Sequence, residues 1–272
     1  MSVSLTFTAQ AAPDIGVLVD VAYGNGVYVA ISQNFKVITS PDGKTWTDRG
    51  EIFASSTPGG IIFDSTNFVV TGRADNGFPR FAKSSDGITW ETSNTQDIGV
   101  TERAAFNGTD LYLGAGRTGS VATASDPLTW TQVAAVATTP RDVAYANGVW
   151  VITGSNNSLI WSDDNGATWT TGTGDSGVGG SDVRVIWDGS QFVAGTGNSV
   201  RLSSDGKAWT TVVTTISSAL LPITIAGGTL LAASDNGGEI SASDDAGATW
   251  TAQTNPITAN WEGATGVAGG KF

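Results

Sequence analysis

The chain has 272 residues, of which 36 are glycine and only 14% charged, with a formal net charge of −12 and a pI near 4.2. That acidity argues against nucleic acid as a partner, because phosphate backbones are bound by cationic surfaces. There is no cysteine and no histidine, which removes disulfides, thiol nucleophiles, zinc-thiolate sites, the commonest metal ligand and the usual neutral-pH base, so no cofactor is expected. No run of about 18 apolar residues suggests membrane insertion, and the Met1 end lacks the basic and apolar segments of a signal peptide.

In chain order, Leu5-Thr-Phe7-Thr-Ala-Gln10 comes first and mimics Ala248-Thr-Trp250-Thr-Ala-Gln253, so it reads as an outer strand. Val21-Ala-Tyr23-Gly-Asn-Gly-Val-Tyr28-Val-Ala30 follows, two apolar runs around Asn-Gly, which is a hairpin because Asn and Gly tolerate the positive φ of tight β-turns. A third strand, Lys36–Ser40, leads into Ser40-Pro-Asp42-Gly43-Lys-Thr45-Trp46, and a fourth starts at the Thr-Trp.

The unit then recurs. Its hairpins run from Ile62 to Val70, Ala105 to Leu113, Val143 to Ile152 and Ile186 to Ala194, and its S-x-D-x-G-x-T-W phrase returns around Asp86, Asp126, Asp164, Asp205 and Asp245. Successive phrase tryptophans, Trp46, Trp90, Trp130, Trp169, Trp209 and Trp250, are 44, 40, 39, 40 and 41 residues apart. A period near forty with four short antiparallel strands per unit is the signature of a β-propeller blade. The chain therefore reads as one all-β propeller domain over 1–272. Its blades fall at about 20–57, 58–98, 99–138, 139–178, 179–217 and 218–257, and a seventh, composite blade comes from 1–12 plus 261–272. Such a blade would leave no free sheet edge at the closure. Six blades with both ends as appendages is the alternative.

Within the phrase, the Asp carboxylate is suited to accept backbone N–H bonds of its own turn, the Gly to reverse the chain and the Trp to wedge between blades. Asp42, Asp86, Asp126, Asp164, Asp205 and Asp245 are accordingly assigned structural roles. Calcium at Asp163/Asp164 or Asp244/Asp245 is disfavoured, because calcium needs about six convergent oxygens, and no metal site is expected. Pro127 follows Asp126 where other copies turn through Gly, so the third turn must be built differently. Gly172-Thr-Gly174-Asp-Ser-Gly177 matches a dinucleotide fingerprint, but no helix follows to hold a pyrophosphate.

Charges can be sorted by blade face. Arg103, Arg141 and Arg184 precede the first-strand aromatics Phe106, Tyr145 and Trp187 by three or four residues, which places them at a channel mouth. Lys36, Arg73, Arg80 and Arg117 fall in second-to-third connections on that face, with Asp20, Glu102, Asp142, Asp182, Glu262, Trp261, Phe35 and Phe78 nearby. These acids and arginines either pair around the rim or form a ligand pocket. The candidate ligand-binding set is Arg103, Arg141, Arg184, Glu102, Asp142, Asp20 and Trp261, since guanidinium groups bind carboxylates or sulfates and an aromatic stacks on a sugar face.

The S-x-D-x-G-x-T-W phrase resembles the Asp-box, or bacterial neuraminidase repeat, of six-bladed sialidases and of several non-enzymatic propellers. The sialidase resemblance implies an arginine triad, a tyrosine nucleophile with a Glu partner and an Asp acid. Tyr23, Tyr28, Tyr112 and Tyr145 all fall in hairpin strands, however, and the Arg-Ile-Pro signature has no counterpart beyond the reversed Phe78-Pro79-Arg80. The hairpin phrase together with Ser-x-Asp-Gly-x-Thr-Trp-Thr is similar to repeats of bacterial and bacteriophage surface or tail proteins. That similarity implies a non-enzymatic binding or structural propeller on a virion or extracellular surface, in contact with glycan or with other virion or surface proteins. A sialidase-like hydrolase of anionic glycans is the alternative. Photosystem assembly factors with seven Asp-box blades are similar in fold alone.

Overall fold

The structure is a computed structural model and describes residues 12–93, 103–109, 112–116, 119–136, 138–155, 158–174, 184–217, 220–234 and 238–255. It contains twenty-four strands in six antiparallel sheets of four, each sheet a propeller blade. Two compact units divide the chain, one over 10–140 and the other from 141 onward.

The first unit holds three blades. These are β1 (Leu18–Gly24), β2 (Val27–Ser32), β3 (Lys36–Ser40) and β4 (Thr47–Glu51); β5 (Ser56–Phe63), β6 (Phe68–Ala74), β7 (Pro79–Ser84) and β8 (Glu91–Ser93); and β9 (Arg103–Phe106), β10 (Tyr112–Gly116), β11 (Ser120–Asp126) and β12 (Thr129–Ala135). The second unit holds β13 (Pro140–Ala146), β14 (Val149–Gly154), β15 (Leu159–Ser162) and β16 (Thr170–Thr171); β17 (Val185–Trp187), β18 (Phe192–Thr196), β19 (Ser199–Ser203) and β20 (Thr210–Val213); and β21 (Leu220–Ala226), β22 (Thr229–Ser234), β23 (Ile240–Ser243) and β24 (Thr251–Gln253). In every blade the strands pair in sequence order.

The count is six blades, which corrects the seven-bladed expectation. Each of the six phrases has its own four consecutive strands, so neither the first blade, complete within 18–51, nor the last, complete within 220–253, needs a borrowed strand. The proposed closing blade rested on Leu5–Gln10 resembling Ala248–Gln253. Outer strands are as short as three residues in β24 and two in β16, and strands of that length carry too little pattern to identify a further blade. The segments 1–11 and 256–272 invoked for that blade lie outside the described residues.

Second strands supply the core. Val29 and Ile31 of β2, Val151 and Ile152 of β14 and Val193 of β18 are fully buried, because strands covered on both faces become continuous apolar runs. Hairpin turns between first and second strands follow the Asn-Gly chemistry: Asn25 and Gly26 sit at φ +49° and +79°, Asn147 and Gly148 at +51° and +81°, as a type I′ turn requires. Beside the turns an aromatic pair crosses five hairpins. These pairs are Tyr23–Tyr28, Phe63–Phe68, Phe106–Tyr112, Tyr145–Trp150 and Trp187–Phe192, with ring centroids 4.5 to 5.0 Å apart.

Three of the phrase tryptophans pack onto the preceding blade. Trp130 stacks on Phe81 with centroids 5.2 Å apart, Trp209 joins Leu159 and Val151, and Trp250 joins Val193 and Val200. Removing one such buried ring leaves a cavity that costs about 3–5 kcal/mol. Five outer strands start after the tryptophan, not at the Thr-Trp as expected. The reason is local: the Asp carboxylate takes the amide of the residue before the tryptophan, which holds it in the turn.

Candidate functional site

The six phrase aspartates are best understood from their turns. In the first, Ser40 Oγ donates to Asp42 Oδ1 at 3.0 Å and accepts from Gly43 N at 2.8 Å, while Asp42 Oδ1 accepts from Lys44 N and Thr45 N, both at 2.8 Å. The same set recurs at Asp86 and Asp205. In the longer turns at Asp164 and Asp245 one extra residue is accommodated by Asn165 and Ala246 at φ +56° and +57°, and the carboxylate additionally accepts from the Thr168 or Thr249 hydroxyl at 2.6 Å. Donors aimed at an ionised carboxylate favour that form. The Thr45, Thr89 and Ala208 amides hold Asp42, Asp86 and Asp205 below the usual carboxylate range, the Thr249 hydroxyl does so for Asp245, and the Thr168 hydroxyl brings Asp164 down to about 2.

Asp126 stands apart. Ala124 offers no hydroxyl, and β11 runs to Asp126, which pairs directly with Thr129 across a two-residue Pro127-Leu128 turn. Asp126 accepts from Leu128 N at 3.1 Å, and Lys83 of the preceding blade lies 3.4 Å away. Among the described residues no group of three or more acidic side chains is arranged to hold a metal ion.

The inner strands carry the other candidate set. Counting three residues back from the first hairpin aromatic gives Asp20 in β1, Gly60 in β5, Arg103 in β9, Asp142 in β13 and Arg184 just before β17. Asp20 Oδ1 accepts from Val21 N at 3.0 Å, and Oδ2 accepts from Ile61 N at 3.2 Å and from Arg103 Nη1 at 2.5 Å. The ion pair reaches from the first blade to the third across Gly60. A Cβ at that position would lie 2.5 Å from Arg103 Nη1 and 2.9 Å from Asp20 Oδ2, so only glycine leaves the passage open. Both partners are largely covered, with side chains 13% and 16% exposed.

In the second unit Asp142 Oδ2 accepts from Val185 N at 3.0 Å, repeating the Asp20–Ile61 bond between neighbouring blades. Arg141, Asp142 and Arg184 are half-buried and each has further partners. Arg141 precedes the shared position by one residue, so strand alternation turns it to the opposite side from Asp142. Arg103 is thus joined to Asp20, while Arg141 and Arg184 belong to the other unit and occupy different registers. Glu102, Trp261, Arg117, Asp182 and Glu262 lie outside the described residues. Lys36 opens β3, while Arg73 and Arg80 lie one residue inside the facing ends of β6 and β7 and pair in that ladder, so they belong to strands and not to the second-to-third connections expected; Arg80 is 5.8 Å from the Phe53 ring centre.

Three features were not anticipated. Gly60 and Ile61 complete the Asp20 site, and aligning the blades on their hairpin aromatics would have exposed them. Tyr112 donates its hydroxyl to buried Asp64, which also accepts from Thr66 N and Asn67 N, and burial followed by that carboxylate pushes the phenol well above its ordinary range. Arg201 is 1% exposed in β19, at a register where the other third strands carry small or apolar residues. Its sequence signal is a charge interrupting a core strand. The glycines of the dinucleotide-like run serve packing instead: a Cβ on Gly172 would lie 3.0 Å from the Trp209 ring, and Gly174, at φ +76°, approaches the Trp209 carbonyl.

Residues 124–261 match the sequence model of the DUF6242 beta propeller domain. No curated protein matches the chain by sequence. Among solved structures, the chain is similar to YCF48 bound to D1 peptide (13% identity, 92% of this chain and 85% of that one, TM-score 0.69). It is also similar to virginiamycin B lyase from Staphylococcus aureus (10%, 89% and 85%, 0.73) and to a chain of the mitotic checkpoint complex (14%, 97% and 93%, 0.72). At these identities the likeness is one of fold.

Proposed function

Taking as premise that the chain belongs to the DUF6242 beta-propeller family, we propose that it is a non-enzymatic binding propeller whose partner is a segment of another protein. The observation that carries this reading is the use made of the inner-strand charges. Asp20 directs both oxygens to backbone amides and Arg103, and Asp142 grips Val185 N, so these groups act as interblade fasteners rather than as acids and bases facing a substrate. Fold neighbours add support of a coarser kind: one is a propeller bound to a peptide and another sits in a multiprotein complex. Fold alone does not transfer a ligand.

The setting we propose is a virion or bacterial surface, where the partner is a neighbouring structural protein; the repeated hairpin phrase is the support for it. A peptide-display selection on the purified chain, run beside a glycan panel and a fluorogenic sialoside, tests the reading. Enriched peptides that compete for one site, with the glycans unbound, are expected. Turnover of the sialoside, or glycan binding that Arg103→Ala and Arg184→Ala remove, would replace it with the hydrolase or glycan-receptor alternative.

A further inference from the structure

Every blade ends in an outer strand, and most of these strands carry a device that blunts the edge. Strand β4 bears Asp48, Arg49 and Glu51 and a register shift, and β12 has a bulge between its partners Val121 and Ala122. Strands β8, β16 and β24 are three, two and three residues long. Charges, bulges and brevity are the usual protections of an exposed edge. Among the described outer strands longer than three residues, β20 alone has neither a charge nor a bulge: Thr210, Thr211, Val212 and Val213 pair with β19 without a shift. No charged residue occurs between Lys207 and Asp235, and Val213 is 68% exposed.

The edge of β20 already receives one residue from elsewhere in the chain. Thr173, just past β16, forms a parallel bridge to Ala208, with Thr173 N donating to Lys207 O at 2.8 Å and Trp209 N donating to Thr173 O at 3.0 Å. These bonds fix which backbone groups face outward. Lys207 and Trp209 point to the edge, so by strand alternation Thr211 and Val213 do as well, while Thr214 N points inward to Asn198 O. Gly174, the next residue, adopts φ +76°, outside the range of an extended strand. Beyond it, the N–H and C=O groups of Thr211 and Val213 have no strand against them among the described residues.

We infer that the outer edge of β20 is a strand-addition site that takes an extended, uncharged, β-branched segment of a partner protein, continuing the register that Thr173 begins. The inference rests on the peptide-binding reading above and names its location. Backbone pairing supplies affinity in this mode, and a partner side chain beside Val213 supplies selectivity. A folded second copy is a poor occupant. Each copy carries a net charge of −12, and two bodies of like net charge repel. A charged segment would find no complementary group in a stretch without charge.

The test is amide exchange measured by NMR on the labelled full chain, with and without an acetylated, amidated pentapeptide of alternating threonine and valine. Exchange at Thr211 and Val213 should slow at least tenfold at saturating peptide, with the amides of β4 and β12 unchanged. Val213→Pro deletes an outward N–H and leaves the bonds to β19 intact, and Val213→Lys adds an edge charge; each should abolish the protection while the melting temperature stays put. Unchanged exchange at millimolar peptide, or protection at other strands, overturns the assignment. Protection that rises with protein concentration alone means a second copy is the occupant and overturns it too. Display-selected peptides that bind wild type and Val213→Pro equally would leave peptide binding standing and remove the edge as its site, whereas a selection that yields no peptide removes the broader reading.

Discussion

Gly60→Ala is the sharpest perturbation of the inner-strand fastener. The new methyl would start 2.5 Å from Arg103 Nη1 and 2.9 Å from Asp20 Oδ2, about an ångström inside ordinary contact, so the guanidinium has to swing off the carboxylate. Removing one partner of a fully buried ion pair costs about 3–5 kcal/mol. Here both side chains keep some exposure, and Asp20 retains the Val21 and Ile61 amides, which reduces the loss to about 2 kcal/mol. Restricting the unfolded chain by replacing glycine returns about 0.5 kcal/mol. The net is roughly 1.5 kcal/mol, or about 3–6 °C in melting temperature at about 2–4 °C per kcal/mol for a chain of this size. Calorimetric melting of wild type, Gly60→Ala, Arg103→Ala and the double variant reads it out. In the Arg103→Ala background, Gly60→Ala should cost clearly less than in wild type, because only the 2.9 Å approach to Asp20 Oδ2 remains; an equal cost in both backgrounds would refute the claim that the glycine exists to pass the ion pair.

Other expectations concern single residues. Ala246→Gly should raise stability by about 0.5–1 kcal/mol, because the left-handed φ of +57° costs an alanine about 1–2 kcal/mol against the smaller entropy penalty of glycine; a loss of stability in denaturant titration would contradict this. Tyr112→Phe leaves an oxygen of buried Asp64 without its donor and should cost about 1–3 kcal/mol. Because the folded phenol is raised, its contribution holds below pH 10 and declines above it, so the variant should lose less stability than wild type between pH 10 and 12. The phrase carboxylates are lowered on folding, so their contribution is complete above about pH 4 and disappears as pH falls toward 2. Asp164→Asn should therefore flatten the melting-temperature profile across that window, and an unchanged profile would show that the turn bonds do not stabilise the fold.

Much of the architecture was legible because the residues that repeat are those whose local chemistry is self-contained. A Ser–Asp–Gly turn is satisfied by its own amides, and Asn-Gly dictates its hairpin, so both can be recognised without knowing what surrounds them. The third turn was legible as a departure for the same reason, since Pro127 and Ala124 remove the groups the turn requires. The blade count was misread where the pattern is weakest, in outer strands of two or three residues. The inner-strand site was half legible. Asp20, Arg103, Asp142 and Arg184 could be placed at one register from sequence, but their partners include the backbone amides of Ile61 and Val185 and the missing side chain of Gly60. A backbone amide leaves no chemical mark in a sequence, Gly60 stands out only once the blades are aligned on their hairpin aromatics, and Arg141, one residue out of register, looks equivalent when it is not. Tyr112 and Asp64 meet only because two blades pack together.

The most direct test of the account is to carry the Arg103→Ala, Arg141→Ala, Arg184→Ala triple variant through both thermal melting and binding of display-selected peptides. Inner-strand charges that fasten blades predict a melting temperature lowered by several degrees with peptide affinity retained; unchanged melting with binding abolished would make those arginines the recognition site and contradict the account.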